Sequence, residues 1–595
     1  MSAFAVLYDY SGSPLEPGLL ERVMGRLSHR GPDGQDAFVS GPLAMGHWHF
    51  WTTPEEVGER QPLQVDDLPF RLVFDGRLDN REDLFAALSI SVEEGRLLSD
   101  AALVLRAYAA WGERCVERFI GEFALVLFDE RAHTLFCARD QLGDRTLFYT
   151  QHGSRMAIAS EPWAVVGAQS APVELDERAV AHYFALRATP DGQTLFKDVI
   201  ELLPANVILI NEHGLRLQRY WQPDFDRKIR YKTDEEYADH FRDLLEESVR
   251  CRMRSTTPVA VLMSGGLDST SVASLAARML APQQLTTISY VFDKFPECDE
   301  RPYIEAVKQK WNIRSLQVFV DNCWPYQDLR IDVNDVGGTP YQLHENLGYQ
   351  QAKAIGVDVL ITGGFGDHLY LAGRHWLADL LADKKNLEFL KELWLQINKK
   401  ISNQMLRNIH IGNFARQFLH IFLCISSPNS KELNMPWLSD YLMGYLSKSE
   451  VPSSPSLERH STLLGLMAAN SQILAFFRAS YFSVELRQPF RDRRLVEFVL
   501  ALPAYQLYFL GYKKYILRSA MKGILPEIIR TREQVTSISS FYFYGVNHEQ
   551  KNVDSGLQLV DMVWQRYLNK KWFAENLSQQ DGYYAILIWR IISFS

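Results

Sequence analysis

The segment VAVLMSGGLDSTS (259–271) predicts both the fold and the chemistry of the second half of this 595-residue chain. Its first five residues are apolar, as in a buried strand, and a helical pattern follows the polar and glycine-rich middle. Gly265 and Gly266 allow the backbone to approach an anion closely. The N-terminus of the helix behind them presents free N–H groups and a positive dipole end. We therefore predict a phosphate-binding loop between a strand and a helix.

Polar side chains in the same loop complete the predicted site. The hydroxyls of Ser264 and Ser269 can donate hydrogen bonds to phosphate oxygens. Asp268 would repel a phosphate, so it requires an intervening cation, for which Mg²⁺ is the expected choice. No lysine follows the glycines, which excludes the GxxxxGK[ST] loop of phosphate-cleaving NTPases. The alternative is a glycine turn that only joins the strand to the helix.

A second segment, VLITGGFGDHLYLAG (359–373), repeats this pattern. An apolar strand ends in two glycines, and Asp367 follows them. Two strand ends that each offer one carboxylate would hold a divalent ion between the phosphates of a nucleotide. The alternative is again a simple turn. The predicted nucleotide-binding residues are Leu262, Ser264, Gly265, Gly266, Asp268, Ser269, Phe292, Thr362 and Gly363, and the predicted metal ligands are Asp268 and Asp367.

Strand-like and helix-like segments alternate in the second half of the chain, which is typical of a parallel sheet covered by helices on both faces. The first two hundred residues are mostly short strands with turn signals and one helical stretch. A polar segment between them contains a proline and no periodicity. We therefore predict an α+β layered domain over 1–215, a linker over 216–232, and an α/β domain over 233–595 that contains a helical insertion at 374–455.

Composition excludes several classes of protein. The chain is 47% hydrophobic and 23% charged, which is typical of a globular protein in water. Its longest apolar run is too short to span a bilayer, and we expect no signal peptide. A net charge of −9 argues against a general nucleic-acid binder. The six cysteines are scattered, as expected for reduced thiols in a cytoplasmic protein.

Five segments together resemble the asparagine synthetase superfamily over nearly the whole chain. They are the SGGLDS loop, the second Gly–Asp loop, SVELRQPFRDRRLVEF (483–498), YILRSAMKGILPEIIR (515–530) and HRGPDG (29–34). The resemblance implies an N-terminal-nucleophile (Ntn-type) glutaminase-like domain followed by an adenine-nucleotide alpha-hydrolase-like synthetase domain. It also implies a ligase that adenylates a carboxylate with ATP and Mg²⁺, releases pyrophosphate, and lets an amine attack.

The details resemble one branch of that superfamily, the lasso-peptide macrolactam synthetases or lasso cyclases. Asparagine synthetases have Asp-Glu where this chain has Asp367 and His368. ECDERPYIEAV (297–307) and IRTREQVTSISS (529–540) also fit that branch or the related β-lactam synthetases. The resemblance implies a core-peptide substrate whose Asp or Glu side chain joins its own N-terminal amine. It further implies a leader peptidase and a small leader-recognition protein as partners.

The N-terminal domain departs from the glutaminase pattern at three positions. The family has a nucleophilic cysteine where this chain has Ser2, and an oxyanion-binding asparagine where it has Asp75. A carboxylate repels a developing oxyanion. His49 takes the place of the arginine that would bind the glutamine carboxylate, whereas Arg30 and Asp100 are retained and have possible structural roles. We therefore predict a retained scaffold without glutaminase activity.

Aminolysis of an acyl-adenylate requires a base for the incoming ammonium group. Resemblance to the β-lactam synthetases points to Glu485 as the carboxylate of a Tyr–Glu base pair, with Tyr481 as the candidate tyrosine. The alternative for Glu485 is a structural role as a helix cap or in an ion pair, for example with Arg487.

The reaction also requires a cation for the departing phosphates. The late lysine of the family falls on Gln534 here, so Arg532 or Lys514 is the candidate replacement. His368 is more consistent with hydrogen bonding near the phosphates than with zinc, because no second histidine or cysteine lies near it. Phe365 makes its loop bulkier than that of the family.

Together with these observations, the resemblance implies an AMP- and pyrophosphate-forming macrolactam synthetase. A synthetase without its own glutaminase must obtain the amine from the substrate, as ring-closing enzymes do. The alternatives are a small-molecule ligase of β-lactam or ammonia-using asparagine synthetase type, and an inactive nucleotide-binding scaffold. The apolar positions of the 374–455 insertion have two interpretations, core packing and a groove for a peptide.

Overall fold

The computed structural model describes residues 1–65, 67–169, 172–187, 189, 191–328, 342–370, 376–404, 435, 438–443, 471–558, 566–569, 571–572 and 590–591, with the side chains of 378, 382, 396–404, 471–474 and 556–558 excepted. None of the helices in this part of the chain is both long and apolar enough to cross a membrane. Much of the predicted insertion over 374–455, including Cys424, lies outside the described residues.

Two antiparallel sheets form the centre of the first domain. Their strands are β1 (Ala3–Asp9), β2 (Gly34–Ser40), β3 (Leu43–His49), β4 (Phe70–Leu78), β5 (Gly121–Asp129), β6 (Thr134–Arg139), β7 (Phe148–His152), β8 (Arg155–Ala159), β9 (Ile200–Glu201), β10 (Asn206–Asn211) and β11 (Gly214–Arg219). One sheet has the order β2–β3–β1–β8–β7–β9 and the other β11–β10–β6–β5–β4. Buried side chains of both sheets, such as Val6 and Val126, pack in one cluster, so the sheets lie face to face.

The described part of the first domain contains six α-helices, of which the first five lie on the outer faces of the sheets and the last packs against second-domain residues such as Tyr326 and Tyr542. They are α1 (Leu19–Gly25), α2 (Arg81–Ala87), α3 (Val92–Leu97), α4 (Asp100–Trp111), α5 (Pro162–Val166) and α6 (Glu177–Phe184), with 3₁₀ turns at Pro54–Glu56 and Gly112–Arg118. α4 packs on the five-stranded sheet, whereas α1 and α5 pack on the six-stranded sheet. The layers confirm the predicted α+β domain. Its last strand pairs with β10 as far as Arg219, beyond the predicted boundary at 215.

A parallel sheet forms the centre of the second domain. Its strands are β12 (Ala260–Leu262), β13 (Thr286–Val291), β14 (Arg314–Phe319), β15 (Val359–Thr362) and β16 (Glu485–Arg487), and a separate hairpin contains β17 (Tyr508–Phe509) and β18 (Tyr512–Lys513). The sheet has the order β14–β13–β12–β15–β16, and every neighbouring pair is parallel. This confirms the predicted α/β architecture.

The described helices of the second domain lie on both faces of its sheet and around it. They are α7 (Asp234–Arg252), α8 (Leu267–Leu280), α9 (Arg301–Trp311), α10 (Gln342–Ala354), α11 (Gly366–Leu369), α12 (Trp376–Ala382), α13 (Asn386–Gln404), α14 (Asp440–Met443), α15 (Ser471–Ser480), α16 (Arg493–Ala501), α17 (Tyr515–Ala520), α18 (Glu527–Arg530), α19 (Ser539–His548) and α20 (Gln550–Gln558), with 3₁₀ turns at Pro489–Arg491 and Ala504–Gln506. α7, α8, α16 and α17 pack on one face, and α10 and α15 on the other.

The order of the strands determines where a ligand can bind. From β12 the chain crosses to β13 on one side, and β15 lies on the other side of β12. The loops after β12 and β15 therefore leave the same carboxyl edge and diverge. In open α/β sheets, ligands bind at such a switch point. Both predicted Gly–Asp loops lie there.

Segments outside the two sheets are anchored to the second domain. In the linker, Ile229 N donates a hydrogen bond to Ala501 O at 2.9 Å. Helix α12 is held through Asp379 Oδ2, which accepts a hydrogen bond from Ala504 N at 2.7 Å. Helix α13 is less covered, and Trp394 on it is 64% exposed. Packing therefore accounts for α12, whereas α13 presents apolar side chains on its surface.

Candidate active site

The first loop holds its own shape through its two serines and one acidic residue from outside it. Ser264 Oγ and Ser269 Oγ lie 3.0 Å apart, and Ser264 Oγ accepts a hydrogen bond from Gly266 N at 3.1 Å. Gly265 N donates to Glu300 Oε2 at 2.9 Å. The predicted phosphate-binding serines thus also fix the turn. Glu300, just before α9, was not predicted, because 35 residues separate it from Gly265 in the sequence.

The two Gly–Asp loops touch each other through glycines. A Cβ atom added at Gly363 would lie 2.6 Å from Ser269 N. A Cβ atom added at Gly366 would lie 2.5 Å from the carboxylate carbon of Asp268. Both distances are far shorter than van der Waals contact, so only glycine allows the loops to come this close. The structure therefore brings the predicted loops together in one site.

Lys514 lies between the two carboxylates predicted to bind the metal. Its ammonium group forms an ion pair with Asp268 Oδ2 and another, at 2.6 Å, with Asp367 Oδ1. The side chain of Asp268 is 12% exposed and that of Asp367 is 85% exposed. Burial raises the pKa of Asp268 to about 6, against the opposing effect of the Lys514 charge. Lys514 thus offsets negative charge at a point where two carboxylates converge.

One atom of this cluster is left for a further ligand. Asp268 Oδ1 is buried and has no hydrogen-bond partner among the described residues. Lys514 holds the other oxygen, Oδ2, so the lone pairs of Oδ1 are unused among the described residues. Within the described residues, no group of three or more His, Cys, Asp or Glu side chains could hold a metal. The two carboxylates that converge on Lys514, and the unpaired Oδ1 of Asp268, fit Mg²⁺ whose other ligands are phosphate and water oxygens.

Arg532 lies against the first loop. Its Nη1 donates to Glu300 Oε1 at 3.0 Å and to Gly265 O at 3.2 Å. The guanidinium lies 3.8 Å from the centre of the Tyr303 ring. Beside it is a cavity of about 480 Å³ lined by Glu297, Tyr303, Arg532, Gln534, Val535, Thr536, Ser537, Ser539 and Ser540. Arg532 is therefore placed to contact a phosphate chain that leaves the loop, and Gln534 lies beside it.

The remaining predicted nucleotide-binding residues follow strand ends. Leu262 and Thr362 are the last residues of β12 and β15, and Thr362 Oγ1 accepts a hydrogen bond from Gly364 N at 3.1 Å. Phe292 follows β13, but it is buried and packs edge-to-face on Phe541, with ring centroids 5.1 Å apart. Phe292 thus lies at the predicted edge as part of the core.

His368 follows Asp367 on α11. Burial lowers the pKa of His368 below its ordinary value, partly offset by the Asp367 charge. A neutral imidazole can both donate and accept a hydrogen bond. The predicted hydrogen-bonding role of His368 near the phosphates stays a prediction.

Glu485 lies away from this edge. It is the first residue of β16 and pairs in register with Val359, the first residue of β15. Its carboxylate is buried and accepts a hydrogen bond from Arg487 Nε at 2.7 Å, and it lies 3.2 Å from Arg145 Nη2 of the first domain. Burial alone would raise the pKa of Glu485, but Arg145 and Arg487 hold it well below its ordinary value.

This geometry favours the ion-pairing interpretation of Glu485 over the predicted base. A carboxylate held ionised by two guanidinium groups is a weak base. Tyr481 is 40% exposed, and its ring stacks on that of His29 with centroids 4.2 Å apart. The sequence indicated the ion pair with Arg487 but not the one with Arg145, because Arg145 lies in the other domain.

In the first domain, the candidate nucleophile and the oxyanion position are both held by protein groups. Ser2 Oγ accepts a hydrogen bond from Phe50 N at 3.0 Å. Asp75 is buried, with Arg145 Nη1 3.4 Å from Oδ1 and Arg30 Nη1 4.0 Å from Oδ2. A carboxylate clamped between two arginines offers no hydrogen-bond donor to an oxyanion. The geometry therefore supports the predicted loss of glutaminase chemistry.

The other positions of that pocket also have structural partners. His49 Nε2 lies 2.9 Å from Asp36 Oδ2, and His49 Nδ1 lies 2.8 Å from His47 Nδ1. Asp100 accepts hydrogen bonds from Leu78 N at 2.9 Å and from Arg254 Nη2 at 2.5 Å. Asp100 thus joins the two domains, in agreement with the structural role left open for it.

Comparison with known proteins agrees with this two-domain organisation. The glutamine amidotransferase domain model matches residues 1–221, and the asparagine synthase model matches residues 240–537. Asparagine synthetase (glutamine-hydrolyzing) 3 of Bacillus subtilis is 24% identical over 559 residues, covering 87% of this chain and 84% of that protein. A putative asparagine synthetase (glutamine-hydrolyzing) of Mycobacterium bovis is 30% identical over 299 residues, covering 47% and 45%.

Among solved structures, a glutamine phosphoribosylpyrophosphate amidotransferase from B. subtilis is similar to this chain. It has 14% sequence identity and a TM-score of 0.27, and the match covers 54% of this chain and 81% of that one.

Proposed function

The chain belongs to the asparagine synthase family, and from that premise we propose that it activates a carboxylate with ATP and joins it to an amine that the first domain does not supply. The family consists of ATP-dependent, amide-forming ligases. One observation supports the proposal that the first domain does not supply the amine. In its pocket, Ser2 is hydrogen-bonded to Phe50 N and Asp75 lies between two arginines.

The residues at the switch point would divide the work of adenylation. A substrate carboxylate oxygen attacks the α-phosphorus of ATP, and the bond to the β-phosphate oxygen breaks to release pyrophosphate. The glycines of the first loop let the phosphates approach the end of α8. Asp268 and Asp367 would hold Mg²⁺, which neutralises phosphate charge when bound. Lys514 orients Asp268 through Oδ2 and adds positive charge beside the leaving group.

The amine completes the reaction. Its nitrogen attacks the acyl carbon of the adenylate, loses a proton, and displaces AMP with the electrons of the C–O bond. If the amine belongs to the same molecule as the carboxylate, no external ammonia is needed and a ring closes. We therefore assign the chain as a macrolactam synthetase that acts on a core peptide, with a leader peptidase and a leader-recognition protein as its partners.

Two features support a peptide substrate. Asp367 and His368 stand where the lasso cyclases have the same pair. Helix α13 also presents Leu387, Leu390 and Trp394, all more than half exposed, on successive turns of one side. The competing candidate is an ammonia-using asparagine synthetase. Two relatives that match 87% of the chain are named asparagine synthetase (glutamine-hydrolyzing), which favours an asparagine-forming reaction but not ammonia as its nitrogen source.

Purified protein is expected to release no glutamate from glutamine. Ser2→Cys alone should not create this activity, because Asp75 still occupies the oxyanion position; losing one oxyanion donor typically costs about 10²–10³ in rate. A coupled glutamate assay measures the outcome, and an active glutaminase is the positive control. Glutamate release by the unaltered chain above the no-enzyme rate would contradict this part of the proposal.

Arg532→Met is expected to lower ATP–pyrophosphate exchange by about tenfold. The change keeps the apolar stem but removes the guanidinium that bonds Gly265 O and Glu300. Arg530→Met is a matched control, since Arg530 pairs with Glu527 on the surface. Equal exchange in both variants would remove Arg532 from the site.

A further inference from the structure

A series of contacts joins the first domain to the loop that carries Asp367. Asp144, which lies between β6 and β7, forms an ion pair with Arg491 Nε. Arg491 Nη2 also donates a hydrogen bond to Leu142 O at 2.5 Å. The guanidinium of Arg491 lies 4.9 Å from the centre of the Phe365 ring. Phe365 directly precedes α11, the helix that contains Asp367. Two successive contacts, Asp144–Arg491 and Arg491–Phe365, therefore connect the first domain to the loop of the candidate metal site.

The loop that contains Asp144 and the turn that contains Arg491 are both fixed by their surroundings. Asp140 Oδ1 accepts hydrogen bonds from Leu142 N and Asp144 N, each at 3.0 Å, so the loop around Asp144 is fixed. Arg491 ends the 3₁₀ turn that follows β16, the edge strand of the parallel sheet. The side chains of Asp144 and Arg491 are both buried, where a displaced charge has no water to compensate it. A shift of either partner is therefore costly.

Phe365 links Arg491 to the candidate metal site, because it contacts Arg491 and directly precedes α11. Its φ of +69° is left-handed, a conformation that costs roughly 1 kcal/mol for a residue other than glycine. The ring is buried between the Arg491 guanidinium and the core cluster of the second domain. The next residue, Gly366, lies against the Asp268 carboxylate. The conformation of Phe365 thus determines how Asp367 and Asp268 approach each other.

We propose that Asp144 is a positioning residue for the synthetase site, acting through Arg491 and Phe365 on the spacing of Asp268 and Asp367. The first domain then supports the second domain's chemistry although its own pocket lacks glutaminase groups. This inference rests on the proposed use of ATP and Mg²⁺.

The test measures binding of Mg²⁺–ATP to the full chain by calorimetry. Phe365→Gly retains the ion pair and suits the left-handed backbone, which offsets only part of the stability lost with the buried ring, so a melting curve first establishes that the variant is folded. It is expected to raise the dissociation constant of Mg²⁺–ATP by at least about five-fold. Asp144→Asn should weaken binding by a similar factor, and Asp144→Glu, which keeps the charge, should restore part of it.

Asp100→Asn is the matched control. Asp100 also forms a buried ion pair between the domains, with Arg254, and its other partners among the described residues, Leu78 and Arg81, lie in the first domain and not on α11. It should lower thermal stability and leave the dissociation constant within about two-fold of the unaltered value. The inference is overturned if folded Phe365→Gly binds Mg²⁺–ATP normally, or if Asp100→Asn weakens binding as much as Asp144→Asn. Lack of Mg²⁺–ATP binding by the unaltered chain would overturn the proposed function and this inference together. Normal binding by the unaltered chain combined with either result above would overturn the inference alone.

Discussion

Asp268→Asn is expected to lower ATP–pyrophosphate exchange by at least about 100-fold. Asparagine keeps the size of the side chain but removes the charge that would hold Mg²⁺ and pair with Lys514. The fold should survive. The pKa of Asp268 in the folded chain is about 6, above the ordinary value of 3.8. The free energy of unfolding therefore falls as pH rises through that window, because the folded chain must then ionise this buried carboxyl group. A neutral amide avoids this loss.

The measurement combines exchange with a melting curve at neutral pH. Asp367→Asn should reduce exchange as strongly as Asp268→Asn, because both carboxylates flank Lys514. Asp358→Asn is the matched control: this aspartate lies just before β15, at the amino edge of the sheet, and pairs with Lys353 at 2.6 Å. It should retain near-normal exchange. Near-normal turnover by either site variant would show that the ligand assignment is wrong.

The sequence predicted the features whose signals are local. The strand–loop–helix pattern around Gly265 and Gly266 identified β12, its loop and α8, because all its parts lie within about twenty residues. The alternation of elements then fixed a parallel sheet and placed Thr362 and Gly363 at its carboxyl edge. These predictions required no knowledge of distant contacts.

The sequence could not predict features that depend on tertiary contacts. Lys514 reaches Asp268 across 246 residues, so its position between the carboxylates leaves no local pattern. The environment of Glu485 also depends on a distant residue. Its carboxylate pairs with Arg487 and with Arg145 of the other domain, and these two charges keep it ionised. Phe292 has an apolar side chain at the right edge, but only the packing against Phe541 shows that it belongs to the core.

The substrate class should produce the largest difference of all. A cognate core peptide is expected to give ATP-dependent pyrophosphate exchange, whereas free aspartate with ammonia should give little or none even at high concentration. The loop glycines and Mg²⁺ act alike on every carboxylate, so selectivity must come from contacts elsewhere on the substrate. Binding energy from these contacts can fold the peptide so that its amine meets the adenylate. Such an arrangement can reach an effective molarity of about 10⁵–10⁸ M.

Mass spectrometry identifies the product of this reaction. The peptide should become lighter by one water, and its N-terminus should no longer react with amine reagents. Replacing the acceptor Asp or Glu of the peptide by Asn or Gln is the matched control, since an amide oxygen is too weak a nucleophile to be adenylated, and both signals should disappear. AMP and asparagine formed rapidly from free aspartate and ammonia would instead identify an ammonia-using asparagine synthetase. The altered pocket around Ser2 and Asp75 is compatible with that outcome too, so only the identity of the carboxylate substrate separates the two enzymes.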